Sequence, residues 1–205
     1  MDRVSQPAGN YYDKYHTRNP IARWLMNGFL GAFDDFVGLS GATSAIEVGC
    51  GEAELSIRLA RRGLAVRGCD VADAVLPIAR QRIAEAGVDI DVWRADVLSL
   101  GPEHADEMVV CCEVLEHVDD PREAVQRLSV LARPFLLTSV PREPLWRVLN
   151  VCRGKYLGAL GNTPGHVNHW NRDGFLDLLR PHFEIMAVRS PFPWTMVLCR
   201  VKREG

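Results

Sequence analysis

The sequence predicts a doubly wound α/β fold, a mostly parallel sheet with helices on both faces. Two observations lead there. From residue 44 onward short apolar runs alternate with helical patterns, and a glycine-rich turn follows the first of those runs directly. The chain has 205 residues, enough for one well-buried core, so it is expected to form a single domain.

Each element has its own signal. Residues 1–20 are polar and aromatic and end in Asn19-Pro20, which predicts a mobile or capping segment ahead of a helix. The apolar stretch 24–39 is too short to span a bilayer and is interrupted by Asp34 and Asp35, so it reads as an amphipathic helix. Together residues 1–40 are expected to form an N-terminal helical lid. A buried strand follows at 44–48, then the glycine turn and a helical pattern to Arg62. The alternation continues with a strand at 64–69, a helix at 72–86, and strands at 90–93 and 108–112. Pro121 occupies a favoured first-turn position, and Ala124, Leu128 and Leu131 carry the helix behind it. A strand at 135–140 is stopped by Pro141. Beyond it the pattern predicts a small inserted cap over 141–170, with a helix at 145–160 and a loop at 161–165. The remainder, 171–205, is expected to hold a helix at 173–179 and strands at 183–188 and 195–201. The short link Ser190-Pro-Phe-Pro193 suits an antiparallel hairpin.

Composition excludes several classes. The formal charge of −2 provides no broad basic field, which disfavours nonspecific nucleic-acid binding. Cys50, Cys69, Cys111, Cys112, Cys152 and Cys199 form no CxxC pair and read as buried, reduced thiols rather than a zinc site. No charged segment followed by an apolar core opens the chain, so the expectation is a cytoplasmic protein without a membrane span.

The turn Glu47-Val-Gly49-Cys50-Gly51-Glu-Ala53 joins the first strand to the first helix. Glycines there let the backbone pass close to a ligand, and the helix beyond presents free N–H groups. A nicotinamide-binding turn would need glycine or alanine at position 54, where this chain has Glu54. Glu47 instead suits a ligand bearing positive charge, such as the sulfonium and ammonium of S-adenosylmethionine. Asp70 ends the second strand, where its carboxylate can accept both ribose hydroxyls. Asp96 follows the third and can accept an adenine amino group while Val97 packs on the ring.

Taken in order, Glu47/Gly49/Gly51, Asp70, Asp96 and Cys112-Glu-Val-Leu-Glu-His117 resemble the successive motifs of class I S-adenosylmethionine-dependent methyltransferases. The resemblance is strong over 44–140, which would be the cofactor-binding core, and looser in the tail. It implies a Rossmann-like seven-stranded sheet with an antiparallel last strand and S-adenosylmethionine as cofactor. Glu47, Gly49, Cys50, Gly51, Asp70, Val71, Asp96, Val97 and Cys112 would line its site. One departure is Ala53, where the family has a third glycine; alanine fits unless the backbone needs a positive φ.

The acceptor side is expected just past the fourth strand. On one helical turn Glu113, Glu116 and His117 would converge, and Gly165-His-Val-Asn-His169-Trp170 supplies two more imidazoles. Carboxylates with imidazoles can hold Mg²⁺, Mn²⁺ or Fe²⁺. The pattern resembles two metal-dependent subgroups: the ubiquinone-pathway O-methyltransferases and the enzymes that methylate the 2′-hydroxyl at RNA 3′ ends. The ligand set would be Glu113, Glu116, His117 and His169, with His166 as the alternative to His169. The other readings are a metal-free pocket with His117 or His169 as base and Glu113 beside it, and purely structural hydrogen bonding. Tyr11, Tyr12, Tyr15 and His16 resemble an aromatic lid, Trp146, Trp170 and Trp194 read as packing residues, and Arg142, Arg147, Arg153 and Lys155 as a solvated cap face or an anion site. The leading expectation is O-methylation of a hydroxylated or quinone-like small molecule. Nitrogen or carbon methylation of a metabolite, RNA 2′-O-methylation, and a non-catalytic cofactor-binding subunit are the alternatives.

Overall fold

In the computed structural model, which describes residues 19–202, the chain opens with helix α1 (Pro20–Ser40). The Asn19 side chain accepts hydrogen bonds from the Ile21 and Ala22 amides at 2.9 and 3.3 Å, and Gly41, at φ 65°, ends the helix. Phe29, Phe33 and Phe36 bury one face of α1, while Asp34 on another meets Arg58 in a two-point ion pair of 2.6 and 2.7 Å. The tyrosines Tyr11, Tyr12 and Tyr15 lie outside the described residues.

The elements that follow are β1 (Ser44–Val48), α2 (Glu54–Arg61), β2 (Ala65–Asp70), α3 (Leu76–Ala86), β3 (Ile90–Arg94), β4 (Asp106–Cys112) and α4 (Pro121–Leu131). They continue with β5 (Ala132–Pro141), α5 (Leu145–Cys152), α6 (Arg172–Leu179), β6 (Phe183–Arg189) and β7 (Trp194–Val201). The seven strands order as β3-β2-β1-β4-β5-β7-β6. β1 through β5 pair in parallel, and β7 runs antiparallel between β5 and β6. α1, α2 and α3 pack their apolar side chains on one face of the sheet; α4 and α6 cover the other. Strands covered on both faces need continuous apolar sequence, as Met108–Cys112 provides.

Two expected elements are shorter than the sequence pattern implied. The helix expected at 72–86 starts at Leu76, which puts Pro77 in the first turn; a start at residue 72 would place that proline where a helical N–H is needed. The helix expected at 145–160 stops at Cys152, because Gly154 takes φ 66° and the Lys155 amide turns back to the Asn150 carbonyl at 2.8 Å. Past it, Leu157–Ala159 forms only a short 3₁₀ turn. No helix among the described residues is long and apolar enough to cross a membrane.

Candidate active site

The sheet order reverses between β1 and β4: the chain runs outward from β1 to β3, then returns to the other side. Ligands in such sheets sit beyond the carboxyl ends of the strands at that switch point. The motif residues lie in the carboxyl halves of these strands and on the loops that follow them.

The turn after β1 folds back over β2. The Gly49 and Cys50 amides donate to the Cys69 carbonyl at 2.8 and 2.9 Å, and the Gly51 amide donates to Asp70 Oδ2 at 2.8 Å. Asp70 Oδ1 accepts from the Ala72 amide at 2.9 Å, so the carboxylate is held at both oxygens with lone pairs left for a ligand. A β-carbon on Gly51 would meet nothing within 4 Å, which leaves the outer side of the turn open to a ligand. On the inner side a β-carbon on Gly49 would lie 2.3 Å from Val114 Cγ2, so this position admits no side chain. Ala53, where a third glycine was missing, does take a positive φ of 65° and is fully buried. The chain therefore tolerates a strained alanine at the start of α2. Glu54 points to Arg82 of α3, which also meets Glu52 at 2.5 Å.

Glu47 is placed differently from a loop carboxylate facing solvent. It belongs to β1, is 3% exposed, and accepts a hydrogen bond from the Ser56 hydroxyl. Burial, reinforced by the neighbouring Asp70 and Glu54 charges and opposed by the Ser56 bonds, pushes its carboxyl up to about 8. Burial likewise raises the thiols of Cys50 and Cys111, and those of Cys69 and Cys199 to about 12, so these cysteines are poor nucleophiles. Asp96 is exposed and caps the Val97–Ser99 turn through the Leu98 amide at 2.9 Å, with Val97 buried beneath it. Val71 is exposed at the rim, and Cys112 is buried at the end of β4.

The acceptor-side residues regroup. Glu113 sits at φ 61° outside the Leu115–His117 turn, with Oε2 accepting from Trp194 Nε1 at 2.6 Å and Oε1 from Ser139 Oγ at 3.3 Å. His169 is exposed, with Nε2 on Asn162 Oδ1 at 2.7 Å. Among the described residues, the set whose ligand atoms all lie within 4.8 Å of one another is Glu116, His117 and His166. The four-residue set expected with Glu113 and His169 thus gives way to three, with His166 in place of His169. Glu116 is 2% exposed and His166 is buried, whereas His117 is partly open.

Sequence patterning also missed an aromatic wall. His117 meets His166 edge-on at 4.8 Å between ring centroids, Trp146 stacks along His166 at 6.3 Å, and Trp194 lies 5.9 Å from Trp146. Phe29 of α1 completes it, edge-on to Trp194 at 5.1 Å. Trp146 is fixed by its Nε1 donating to Thr163 Oγ1 at 2.9 Å. The aromatic content was visible in the sequence, but the convergence of residues 29, 146, 166 and 194 was not.

A doubly wound sheet with an antiparallel β7, a glycine turn locked to a carboxylate, and motifs at one switch point define the methyltransferase class. The general "Methyltransferase domain" family model matches residues 45–134. The ubiquinone biosynthesis O-methyltransferase of Cupriavidus pinatubonensis is 32% identical over 202 residues, covering 87% of this chain and 77% of that one. Its counterpart in Pseudomonas paraeruginosa is 30% identical over 179 residues, covering 80% and 73%. The magnesium protoporphyrin IX methyltransferase of Synechocystis PCC 6803, solved with bound S-adenosylhomocysteine, superposes with a TM-score of 0.69 at 21% identity, covering 91% of this chain and 89% of that one. The chain belongs to the class I S-adenosylmethionine-dependent methyltransferases. It is an enzyme, and S-adenosylmethionine is its cofactor.

Proposed function

We propose that this enzyme methylates a hydroxyl oxygen of a small aromatic or quinol-like molecule, with Glu116, His117 and His166 forming the acceptor-side centre. The observation that carries the reading is the convergence of these three donors within 4.8 Å at the end of β4. The half-buried Trp146, backed by the core residue Trp194, supports a flat acceptor, as do relatives named for O-methylation in ubiquinone biosynthesis.

The cofactor, when bound, supplies a methyl group already activated on a positive sulfur. The protein must then align the acceptor oxygen with that methyl and exclude water. In this reading Gly49, Cys50 and Gly51 cradle the cofactor, Asp70 accepts from its ribose, and Asp96 with Val97 holds its adenine. Glu47, buried beneath the turn, presents a carboxylate to the cofactor's positive charge when it ionises. One carboxylate and two imidazoles suit a divalent cation such as Mn²⁺, Mg²⁺ or Fe²⁺, which would lower the pKa of an acceptor hydroxyl. Glu116, His117 and His166 would hold it. His117, the most open of the three, faces the acceptor and takes up its proton if no cation is held.

Calorimetric titration of Mg²⁺, Mn²⁺ and Fe²⁺ into protein saturated with S-adenosylhomocysteine tests the reading, with Glu116→Ala as control. Saturable binding lost in the variant supports the metal-assisted reaction. Absence of binding moves the chemistry to His117 as base.

A further inference from the structure

The Leu115–His117 turn is pinned by a loop about fifty residues away in the chain. The Val167 and Asn168 amides both donate to the Glu116 carbonyl, at 2.9 and 3.1 Å. The Asn168 side-chain amide donates twice more, to the Val118 carbonyl at 2.6 Å and the Leu115 carbonyl at 3.2 Å. The other orientation of this amide would set its oxygen against two carbonyl oxygens, so the partners decide the assignment. One asparagine therefore directs its backbone N–H and its side-chain NH₂ at the carbonyls of residues 115, 116 and 118, which bracket His117.

The same contact fixes the imidazole. His117 Nδ1 lies 2.9 Å from the Gly165 carbonyl, three residues before Asn168. A carbonyl only accepts, so Nδ1 carries the proton, and in the neutral ring Nε2 keeps the lone pair. The loop that delivers His166 to the cluster is thus also the loop that selects the His117 tautomer.

We propose that Asn168 is a positioning residue: by clamping the 115–118 turn to the 165–168 loop, it holds His117 as its Nδ1–H tautomer and makes Nε2 the nitrogen that works on the acceptor side. The inference rests on the reading of Glu116, His117 and His166 as the acceptor-side centre. Removing the clamp leaves the cofactor turn after β1 untouched, because none of its hydrogen bonds passes through Asn168.

The test compares wild type, Asn168→Ala and Asn168→Ser, each saturated with S-adenosylhomocysteine. The histidine ring nitrogens are observed by long-range ¹⁵N–¹H correlation above the ordinary histidine titration range, and Mn²⁺ is then titrated by calorimetry. His117 is identified by the signals that vanish in His117→Gln. The expected wild-type pattern is Nδ1–H, becoming a mixture of tautomers in Asn168→Ala. S-adenosylhomocysteine affinity stays unchanged while Mn²⁺ affinity falls about 10–100-fold, the range found when groups that orient a metal ligand are lost. Asn168→Ser, which keeps one donor, falls between, and it decides the matter if the alanine variant does not fold. A wild-type Nε2–H pattern, or an unchanged pattern in both variants, overturns the proposal. If wild type binds no Mn²⁺, the metal-assisted reading fails, and the ring pattern alone still decides the role of Asn168.

Discussion

A methyl group placed on Gly49 separates backbone strain from steric crowding in the cofactor turn. The residue has φ 77°, and its new β-carbon would lie 2.3 Å from Val114 Cγ2 and 3.4 Å from Cγ1. The left-handed backbone alone costs an L-residue about 1–2 kcal/mol. Forcing Val114 or the turn aside adds about 1–3 kcal/mol, the usual range for overpacking. Gly49→Ala should therefore destabilise the fold by about 2–5 kcal/mol, a large part of the roughly 5–15 kcal/mol available to a domain. In a Val114→Ala background both methyls are gone, and the same change should cost only the strain, about 1–2 kcal/mol. Urea unfolding of the four proteins in this cycle measures the coupling, expected at about 1–3 kcal/mol. Equal costs in the two backgrounds would refute the reasoning, since the Val114 contact would then contribute nothing.

Three further outcomes follow from the same geometry. Because the Glu47 carboxyl is raised to about 8 in the fold from 4.5, folded protein binds the extra proton; the stabilisation is complete below pH 4.5 and is lost as pH rises towards 8. The unfolding free energy from urea titration should decline through that window by up to about 1.4 kcal/mol per pH unit, and Glu47→Gln should flatten the decline; identical pH dependence in the two proteins would contradict the assignment. Ala53→Gly relieves about 1–2 kcal/mol of left-handed strain but forfeits about 0.5–1 kcal/mol of chain entropy and about 0.8 kcal/mol of buried methyl, so its thermal midpoint should barely move. Asp70→Ala should weaken S-adenosylhomocysteine binding by about 100-fold or more, the loss expected for two hydrogen bonds to a charged acceptor, and unchanged affinity by calorimetry would place the ribose elsewhere.

Residue chemistry and local period made the sheet and its cofactor turn legible. Buried parallel strands are short apolar runs, and Gly49, Gly51 and Asp70 fall at strand ends where the chain must turn. The strain at Ala53 was not legible, because alanine itself says nothing about φ. The end of α5 was partly legible: Gly154 is a stop signal, but apolar residues at helical spacing lie on either side of it. The acceptor side was legible in residue types but not in partners. His166 and His169 are three apart in one loop, and which one reaches Glu116 depends on tertiary contacts, the Trp146 stack and the Asn168 bonds. The Trp194 bond to Glu113 was not legible for the same reason, since Trp194 lies far along the chain.

The place of β7 in the sheet has a consequence for assembly on the ribosome. β6 leaves the tunnel before β7, yet among the described residues it pairs with no strand of β1 to β5 and is joined to them through β7. Until Trp194–Val201 emerges, β5 presents an open edge of backbone donors and acceptors, and both Glu113 and the aromatic wall lack Trp194. A nascent chain arrested at Arg189 would carry every cofactor motif and still be unable to close its sheet, which makes that stage the one most in need of protection from edge-to-edge aggregation.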